Sequence, residues 1–204
     1  MSRRAVLIVN LGSPASTSEA DVRNYLREFL NDDRVLDMNK ALRWALLEGI
    51  ILRKRPAESG EAYAKVWTDE GSPLIATSER VVEKLKTTLG ADTPIYLAMR
   101  YGQPSIASVI AQIVADGIDE VLLFPQYPHY AMSSWETVVV CVQEQIAAQK
   151  PTIKLETVQP FYGDADYIEA LHQVAAPYLE QDYDQLLFSY HGLPERHMRE
   201  ADSS

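Results

Sequence analysis

Short apolar runs alternate along the chain with longer amphipathic stretches. The runs have the length of buried β-strands and lie at residues 5–11, 94–99, 120–124, 152–158 and 185–190. The amphipathic stretches predict helices at residues 18–30, 40–52, 74–89, 105–116, 134–149 and 164–180. Such alternation is typical of βαβ units, in which helices cover a parallel sheet. The pattern therefore predicts an α/β fold whose first four strands form a Rossmann-like parallel sheet flanked by helices.

Two of these helices are supported by their local sequence. Ser18 is a good N-terminal cap, with Asp21 three residues further on. In residues 105–116 the apolar side chains recur at spacings of three and four, at Ile106, Val109, Ile110, Ile113 and Val114. This spacing creates one apolar face. We expect that helix to pack flat on the sheet.

The organisation of the chain departs from this alternation in one place. Residues 31–72 carry a helical pattern without a strand, and we expect this insertion to form a wall or lid of a cleft. Proline and glycine bracket two aromatic residues at 159–163, which predicts a domain boundary there. The predicted domains are residues 1–160, a Rossmann-like N-terminal domain, and residues 161–204, the incomplete start of a second similar domain.

The charge of the chain argues against one class of function. The 204 residues carry a formal net charge of -10, which argues against nucleic-acid binding, because phosphate recognition needs clustered Lys and Arg. The exception is the basic run Arg53-Lys54-Arg55. It is interpreted either as a solvated helix end or as an anion or membrane-surface site.

Cys141 is the only cysteine, so the sequence offers no intrachain disulfide and no cysteine-ligated cluster. Its valine-rich surroundings predict a buried structural thiol. The apolar run at 5–11 is short and interrupted by Asn10, which favours a strand over a signal peptide. No segment approaches the roughly 18 apolar residues of a membrane-spanning helix. We therefore expect a cytoplasmic protein, with peripheral membrane contact as an open possibility.

The residues that follow the predicted strands are rich in aromatic, amide and turn-forming types. These segments are 10–14, 100–104, 126–133, 159–162 and 191–192. Parallel strands bring their carboxyl ends to one edge of the sheet. An aromatic edge with an arginine suits a flat apolar ligand with an acidic periphery, although Pro and Gly there are also ordinary turn formers. The turn after Gly12 lacks the further glycines of a dinucleotide fingerprint and the GK[ST] of a P-loop.

His191 is the sharpest candidate for chemistry. It follows the predicted strand at 185–190 and precedes a Gly-Leu-Pro turn. A histidine there is interpreted as a base, a metal ligand or a structural residue. His197 would be a second ligand if a turn brought it back, and His129 lies at another strand end. No spacing typical of a preformed zinc site occurs.

The segment Phe188-Ser189-Tyr190-His191-Gly192-Leu193-Pro194-Glu195-Arg196 resembles the signature of ferrochelatases, which insert ferrous iron into a porphyrin to form haem. Four further segments match in the same order, at residues 9–14, 70–74, 99–104 and 125–130. The similarity covers essentially the whole chain. The chain is therefore identified as a member of the ferrochelatase family, and a fold of two Rossmann-like domains with a porphyrin cleft between them is implied.

The resemblance also implies roles for individual residues. His191 would be the catalytic residue, acting as iron ligand or as acceptor of a pyrrole proton. The residues implied to contact the macrocycle or its propionates are Tyr63, Ser72, Arg100 and Tyr101, and those implied to line the pocket are Asn10, Leu11 and Tyr127. Leu11 stands where some relatives carry Tyr or Met, so metal ligation there is not expected.

The implied reaction uses protoporphyrin IX or coproporphyrin and treats ferrous iron as a substrate, with no cofactor required and no iron–sulfur cluster. Family members continue beyond the histidine motif, so we expect a truncated chain that is incomplete or inactive alone. Two other functions stay open: a different chelatase, such as one for cobalt, and a non-catalytic porphyrin-binding or partner-binding remnant. An unpaired strand at 185–190 would expose an edge, from which we expect dimerisation, disorder of the tail or poor solubility.

Overall fold

A computed structural model of the chain describes residues 3–90, 92–180 and 182–195. Within these residues, a parallel four-stranded sheet is flanked by helices, which confirms the predicted fold class. The strands are β1 (Arg4–Ser13), β2 (Ile95–Gly102), β3 (Glu120–Pro125) and β4 (Lys154–Thr157). The helices are α1 (Glu19–Leu30), α2 (Lys40–Leu46), α3 (Leu52–Ala64), α4 (Pro73–Leu89), α5 (Ile106–Ala115), α6 (Thr137–Gln149) and α7 (Ala165–Leu179). Two π-helical turns, Leu47–Ile51 and Met132–Glu136, precede α3 and α6.

The sheet has the strand order β2-β1-β3-β4, so the first strand in sequence lies inside it. Val6 of β1 is in register with Ile95 of β2, and Arg4 of β1 is in register with Glu120 of β3. Leu7, Ile8 and Val9 are fully buried because helices cover both faces of β1. All four carboxyl ends therefore lie along one edge.

Two apolar cores sandwich the sheet. In the larger core, alternate residues of β1 and β3 pack against α5 and α6, and the predicted apolar face of α5 is buried at Ile106, Val109, Ile110 and Ile113. The smaller core joins α1 to the start of α3 and to the end of β2, and its buried members are Val22, Tyr25, Leu26, Leu30, Leu47, Leu52 and Tyr101. The smaller core thus connects the inserted segment to the edge of the sheet where the strands end.

The predicted start of α1 is confirmed. Ser18 has extended backbone angles, and its hydroxyl oxygen accepts a hydrogen bond from the Asp21 N–H at 3.2 Å. This bond satisfies one of the N–H groups that the first turn of a helix leaves free.

The inserted segment is helical, as predicted, but its helix does not end at residue 52. It passes through a π-helical turn and continues as α3 to Ala64, with Pro56 inside it. Gly60 explains how α3 lies so close to the rest of the molecule, since a Cβ placed there would stand 2.7 Å from the Thr17 carbonyl oxygen. α3 packs along α1.

The predicted strand at residues 185–190 is absent, and that prediction is wrong. These residues are exposed and lie outside helices and strands, with Leu187 87% exposed. A strand requires a neighbour to accept and donate its backbone hydrogen bonds, and no described strand lies beside this segment. The start of a second domain after residue 160 stays a prediction. None of the described helices is both long enough and apolar enough to cross a membrane.

Candidate functional site

A cleft of about 540 Å³ opens at the carboxyl ends of β1 and β2. We call it the strand-end cleft. Its walls come from α1, from the connection between α3 and α4, and from the two strand ends. The residues that line it are Ser13, Pro14, Ala15, Asp21, Asn24, Tyr25, Glu28, Trp67, Glu70, Gly71, Ser72, Ile75, Gly102 and Gln103.

Two glycines let the strand ends approach each other at the cleft. Gly12 has φ +102°, and a Cβ there would stand 1.8 Å from the Tyr101 carbonyl oxygen. Gly102 has φ +82°, and a Cβ there would stand 2.7 Å from the Ser13 carbonyl oxygen. Only glycine combines this backbone conformation with so close a contact. The position of the cleft between β1 and β2 therefore depends on both residues.

One end of the cleft offers hydrogen-bond donors. Ser13 is 7% exposed, and its buried hydroxyl has no partner among the described residues. Ser72, also 7% exposed, is the N-cap of α4, yet its hydroxyl makes no capping hydrogen bond. The N-terminus of a helix carries a partial positive charge and free N–H groups, which favour a carboxylate or phosphate. Ser13 and Ser72 therefore contribute two hydroxyl donors to the lining of the cleft, and Ser72 also brings the N-terminus of α4 to it.

The carboxylates that line the cleft are already engaged. Glu28 accepts a hydrogen bond from the Gly102 N–H at 2.9 Å, which ties α1 to the end of β2. Glu70 forms an ion pair with Arg80 at 2.7 Å. These contacts hold the acidic side chains at the walls.

Arg100 and Tyr101 belong to a hydrogen-bonded network at the end of β2. Arg100 Nε donates to Thr137 Oγ1 at 2.9 Å, and Arg100 Nη2 forms an ion pair with Asp32. The Tyr101 hydroxyl donates to Asp32 Oδ2 at 2.8 Å, and the Arg34 N–H donates to Asp32 Oδ1 at 2.7 Å. The Arg100 guanidinium also lies 4.5 Å from the centre of the Tyr101 ring. Asp32 is therefore the acceptor at the centre of the network.

Two opposing effects set the pKa of Asp32. Burial raises the pKa, but the hydrogen bonds from Thr137 and from the Arg34 N–H, together with the charge of Arg100, outweigh burial and lower the pKa below its usual value. The Asp32 side chain is 5% exposed and that of Arg100 is 17% exposed. The network is thus an ionised pair held largely away from water.

Three tyrosines lie near the strand ends as neutral phenols. The Tyr25 hydroxyl donates to the Gly12 carbonyl oxygen at 3.3 Å, and its ring meets that of Tyr63 edge to face. The Tyr127 hydroxyl is buried without a partner among the described residues. Burial raises the pKa of each of these three groups, and for Tyr127 the charge of Arg100 acts in the opposite direction.

The structure brings most of the predicted site residues to the strand ends. Asn10 donates to Ser78 Oγ of α4 at 3.1 Å, and Leu11 packs on the smaller core. Ser72 lines the cleft, whereas Tyr101 is fully buried beneath it. His191 lies instead in the exposed segment after α7, so its catalytic role stays a prediction. His197 lies outside the described residues.

Sequence reasoning did not single out Ser13, Asp32 or Thr137. Ser13 stood in a strand-end segment, but nothing in the sequence showed that its hydroxyl would be buried without a partner. Asp32 and Thr137 meet Arg100 only through the fold. The described residues contain no group of three or more His, Cys, Asp or Glu placed to hold a metal ion.

Comparison with known proteins decides the family. The family model described as Ferrochelatase matches residues 3–203. The chain belongs to the ferrochelatase family. It is similar to a ferrochelatase of Opitutus terrae, with 62% identity over 205 residues that cover 100% of this chain and 59% of the relative.

Ferrochelatases with lower identity align with nearly all of this chain and with a similar share of their own length. The relative from Pseudomonas fluorescens biotype C is 48% identical over 99% of this chain and 59% of its own length. The relative from Pseudomonas entomophila is 47% identical over 100% of this chain and 60% of its own length. The chain thus spans about 59% of the length of the ferrochelatases that it resembles.

Proposed function

We propose that this chain supplies the porphyrin-binding part of a ferrochelatase that inserts ferrous iron into protoporphyrin IX or coproporphyrin to form haem. The observation that carries the proposal is the strand-end cleft, in which the Ser13 hydroxyl lacks a partner and the Ser72 hydroxyl does not cap α4. A porphyrin combines a flat apolar ring with carboxylates on its edge. The cleft matches both parts of such a molecule.

The carboxylate part fits the end of the cleft at α4. A propionate accepting hydrogen bonds from Ser13 and Ser72 would satisfy two hydroxyls and meet the positive end of the helix dipole. The ring would then extend past Trp67 and Tyr25, whose apolar faces lie on the walls. In this arrangement Tyr63 supports the wall through its contacts with both aromatic rings.

The remaining predicted contacts surround the ring. We propose that Asn10, Leu11 and Tyr127 line its pocket and that Arg100 and Tyr101 shape the edge on which the macrocycle lies. Arg100 is held in place by Asp32 and Thr137, and Tyr101 by Asp32. These contacts fix the Arg100 side chain and the buried Tyr101 ring in place.

The chemistry requires a proton acceptor. When the metal enters the ring, two pyrrole N–H bonds break, two protons leave, and the nitrogen lone pairs bind iron. We propose His191 for this step, either as the neutral imidazole that accepts a proton or as a ligand that delivers iron. A site that binds the bent ring more tightly than the flat ring favours the transition state.

The test combines binding with turnover. Porphyrin binding is followed by fluorescence, and metal insertion is assayed with Fe²⁺, Zn²⁺ and Co²⁺. Binding with iron insertion supports the proposal, insertion of cobalt alone identifies a different chelatase, and binding without turnover identifies a non-catalytic porphyrin-binding protein. Absence of porphyrin binding contradicts the proposal.

Serine variants locate the carboxylate contact. We expect Ser13→Ala and Ser72→Ala each to weaken binding of a free-acid porphyrin by roughly 5-fold to 10-fold, since each removes a hydrogen bond to a charged group. Binding of the dimethyl ester should stay unchanged. Thr87→Ala is the matched control, because it removes a hydroxyl that bonds to the Glu83 carbonyl oxygen near the other end of α4. Equal effects of all three substitutions would contradict the proposed contact.

We also propose a peripheral membrane contact. Leu42, Trp44 and Ile50 are exposed on α2 and the π-helical turn that follows it, with Trp44 66% exposed. The basic run 53–55 follows directly and is exposed as well. Apolar side chains next to Lys and Arg suit the surface of an anionic bilayer.

A second contact is proposed between copies of the chain. α7 exposes Ile168, Leu171, Val174 and Tyr178, a spacing that forms an apolar stripe along the helix. Since the segment 185–190 forms no strand, this stripe replaces the strand edge as the proposed dimer surface. The cytoplasmic location stays a prediction.

A further inference from the structure

We propose that Asp32 is a positioning residue that withholds Arg100 from the carboxylates of the substrate and so directs them to the α4 end of the strand-end cleft. The inference rests on the proposed function, because it concerns how the same porphyrin is oriented. It deepens that function by distinguishing the part-buried Arg100 guanidinium from the proposed carboxylate contact at Ser13 and Ser72.

The first step concerns the hydrogen bonds that the Asp32 carboxylate accepts. Its Oδ2 accepts from Arg100, from the Tyr101 hydroxyl and from the Thr137 hydroxyl, and its Oδ1 accepts from the Arg34 N–H. These donors come from β2, from the first residue of α6 and from the segment after α1. A carboxylate held from so many sides cannot turn away from Arg100 without leaving buried donors unsatisfied.

The second step concerns the hydrogen bonds that the Arg100 guanidinium donates. Arginine recognises a carboxylate best through two parallel N–H groups on one edge of the guanidinium. On the Nε–Nη2 edge of Arg100, Nε donates to Thr137 and Nη2 donates to Asp32. The guanidinium face is stacked on the Tyr101 ring. A substrate carboxylate would have to displace Asp32 and Thr137 to make a two-point contact with this edge of the guanidinium.

The third step concerns charge. Arg100 and Asp32 together are neutral, so the pair offers little net attraction to an anion. The charge of Arg100 nevertheless has an electrostatic effect at the strand ends, since it opposes the rise in the pKa of the Tyr127 hydroxyl. Removing the negative partner would therefore create an anion-attracting centre outside the lining of the strand-end cleft.

The test compares each variant with the wild type for two porphyrins, mesoporphyrin as the free acid and as its dimethyl ester. The quantity measured is the ratio of the two affinities, which a loss of overall stability does not change. We expect Asp32→Asn to increase the preference for the free acid by about 10-fold, as a newly unpaired charge close to the ligand would. Adding Arg100→Met to Asp32→Asn should return the ratio to within about twofold of the wild type, because both charges are then gone.

Asp33→Asn is the matched control. Asp33 is the neighbouring residue and pairs with Arg43 and Lys40 but makes no contact with Arg100. Its substitution should leave the ratio within about twofold of the wild type. A folded Asp32→Asn variant with an unchanged ratio, or an equal change in Asp33→Asn, would overturn the inference while leaving the proposed function intact.

Near-UV circular dichroism shows whether each variant is folded. A second variant keeps the inference testable if Asp32→Asn does not fold. Arg100→Met alone leaves Asp32 as an unpaired anion, so the preference for the free acid should fall below that of the wild type. If neither single variant folds, Asp32 has a structural role only and the inference is wrong. If the wild type binds neither porphyrin, the proposed function fails and this inference fails with it.

Discussion

Gly12 of β1 lies against the backbone of Tyr101 in β2, so closely that a Cβ on Gly12 would stand 1.8 Å from the Tyr101 carbonyl oxygen. The backbone of Gly12 also has φ +102°. We therefore expect Gly12→Ala to lower the free energy of unfolding by about 3 kcal/mol, through backbone strain and forced separation of the strands. Urea denaturation followed by circular dichroism measures the change.

Gly49 provides the control for that substitution. A Cβ at Gly49 meets no atom within 4 Å, and its φ is not positive. Gly49→Ala should leave stability unchanged or raise it by about 0.4–1 kcal/mol. Similar losses in both variants would show that the close approach at Gly12 does not matter.

His191→Ala should abolish iron insertion while leaving porphyrin binding largely intact, because the substitution removes the proposed base or ligand but none of the residues of the strand-end cleft. The measurement pairs a stopped metal-insertion assay with fluorescence titration of the porphyrin. His172→Ala on α7 is the control, since the imidazole of that exposed histidine lies 4.0 Å from Glu169. Unchanged turnover in His191→Ala would refute the assigned role.

Acid should weaken the fold through Asp32. Its pKa in the folded state is lowered from 3.8, so the stabilisation that it provides is present above the unfolded pKa and is lost as pH falls through the folded pKa. Urea midpoints measured from pH 5 downwards should therefore fall less steeply below about pH 4 in Asp32→Asn than in the wild type. Parallel curves for the two proteins would contradict this account.

Trp44→Ala should weaken binding to anionic vesicles. Trp44 is 66% exposed, and an aromatic side chain of this kind contributes to the affinity for a bilayer interface. Sedimentation with phosphatidylserine vesicles should show a loss of several-fold. Val66→Ala, another exposed apolar side chain, serves as the control. Equal losses in both variants would argue against a defined membrane surface.

Leu171→Glu should shift the chain towards the monomer by placing a charge in the apolar stripe of α7. Size-exclusion chromatography with light scattering measures the mass at several concentrations. Gln173→Glu adds the same negative charge at another exposed position of α7 and tests whether charge alone is responsible. A wild-type chain that is monomeric at every concentration would contradict the proposed dimer surface.

Local pattern was enough to predict the sheet. β1, β2, β3 and β4 each overlap a predicted apolar run, although β4 has no buried residue. The apolar spacing of α5 predicted its buried side chains. α3 was missed because Arg53-Lys54-Arg55-Pro56 reads as the end of a helix. In the folded chain a π-helical turn leads into α3, and packing against α1 carries the helix through Pro56. Tertiary contacts here override local preference.

The site was less predictable than the fold. The resemblance pointed to Arg100, but only the structure shows that Asp32 and Thr137 engage it, because these residues are far apart in sequence. The segment 185–190 failed as a strand for a related reason. β-propensity describes how well a segment fits beside a neighbour, and sequence pattern cannot supply that neighbour.

The central position of β1 also governs how the chain is made. β1 leaves the ribosome before its partners β2 and β3, which lie roughly 100 residues later in the chain, a delay of about 5–20 s of synthesis. During that interval an apolar strand with two unpaired edges has no place in a sheet. The early residues must stay protected, by chaperones or by local collapse with α1, until β3 arrives and the sheet closes around them.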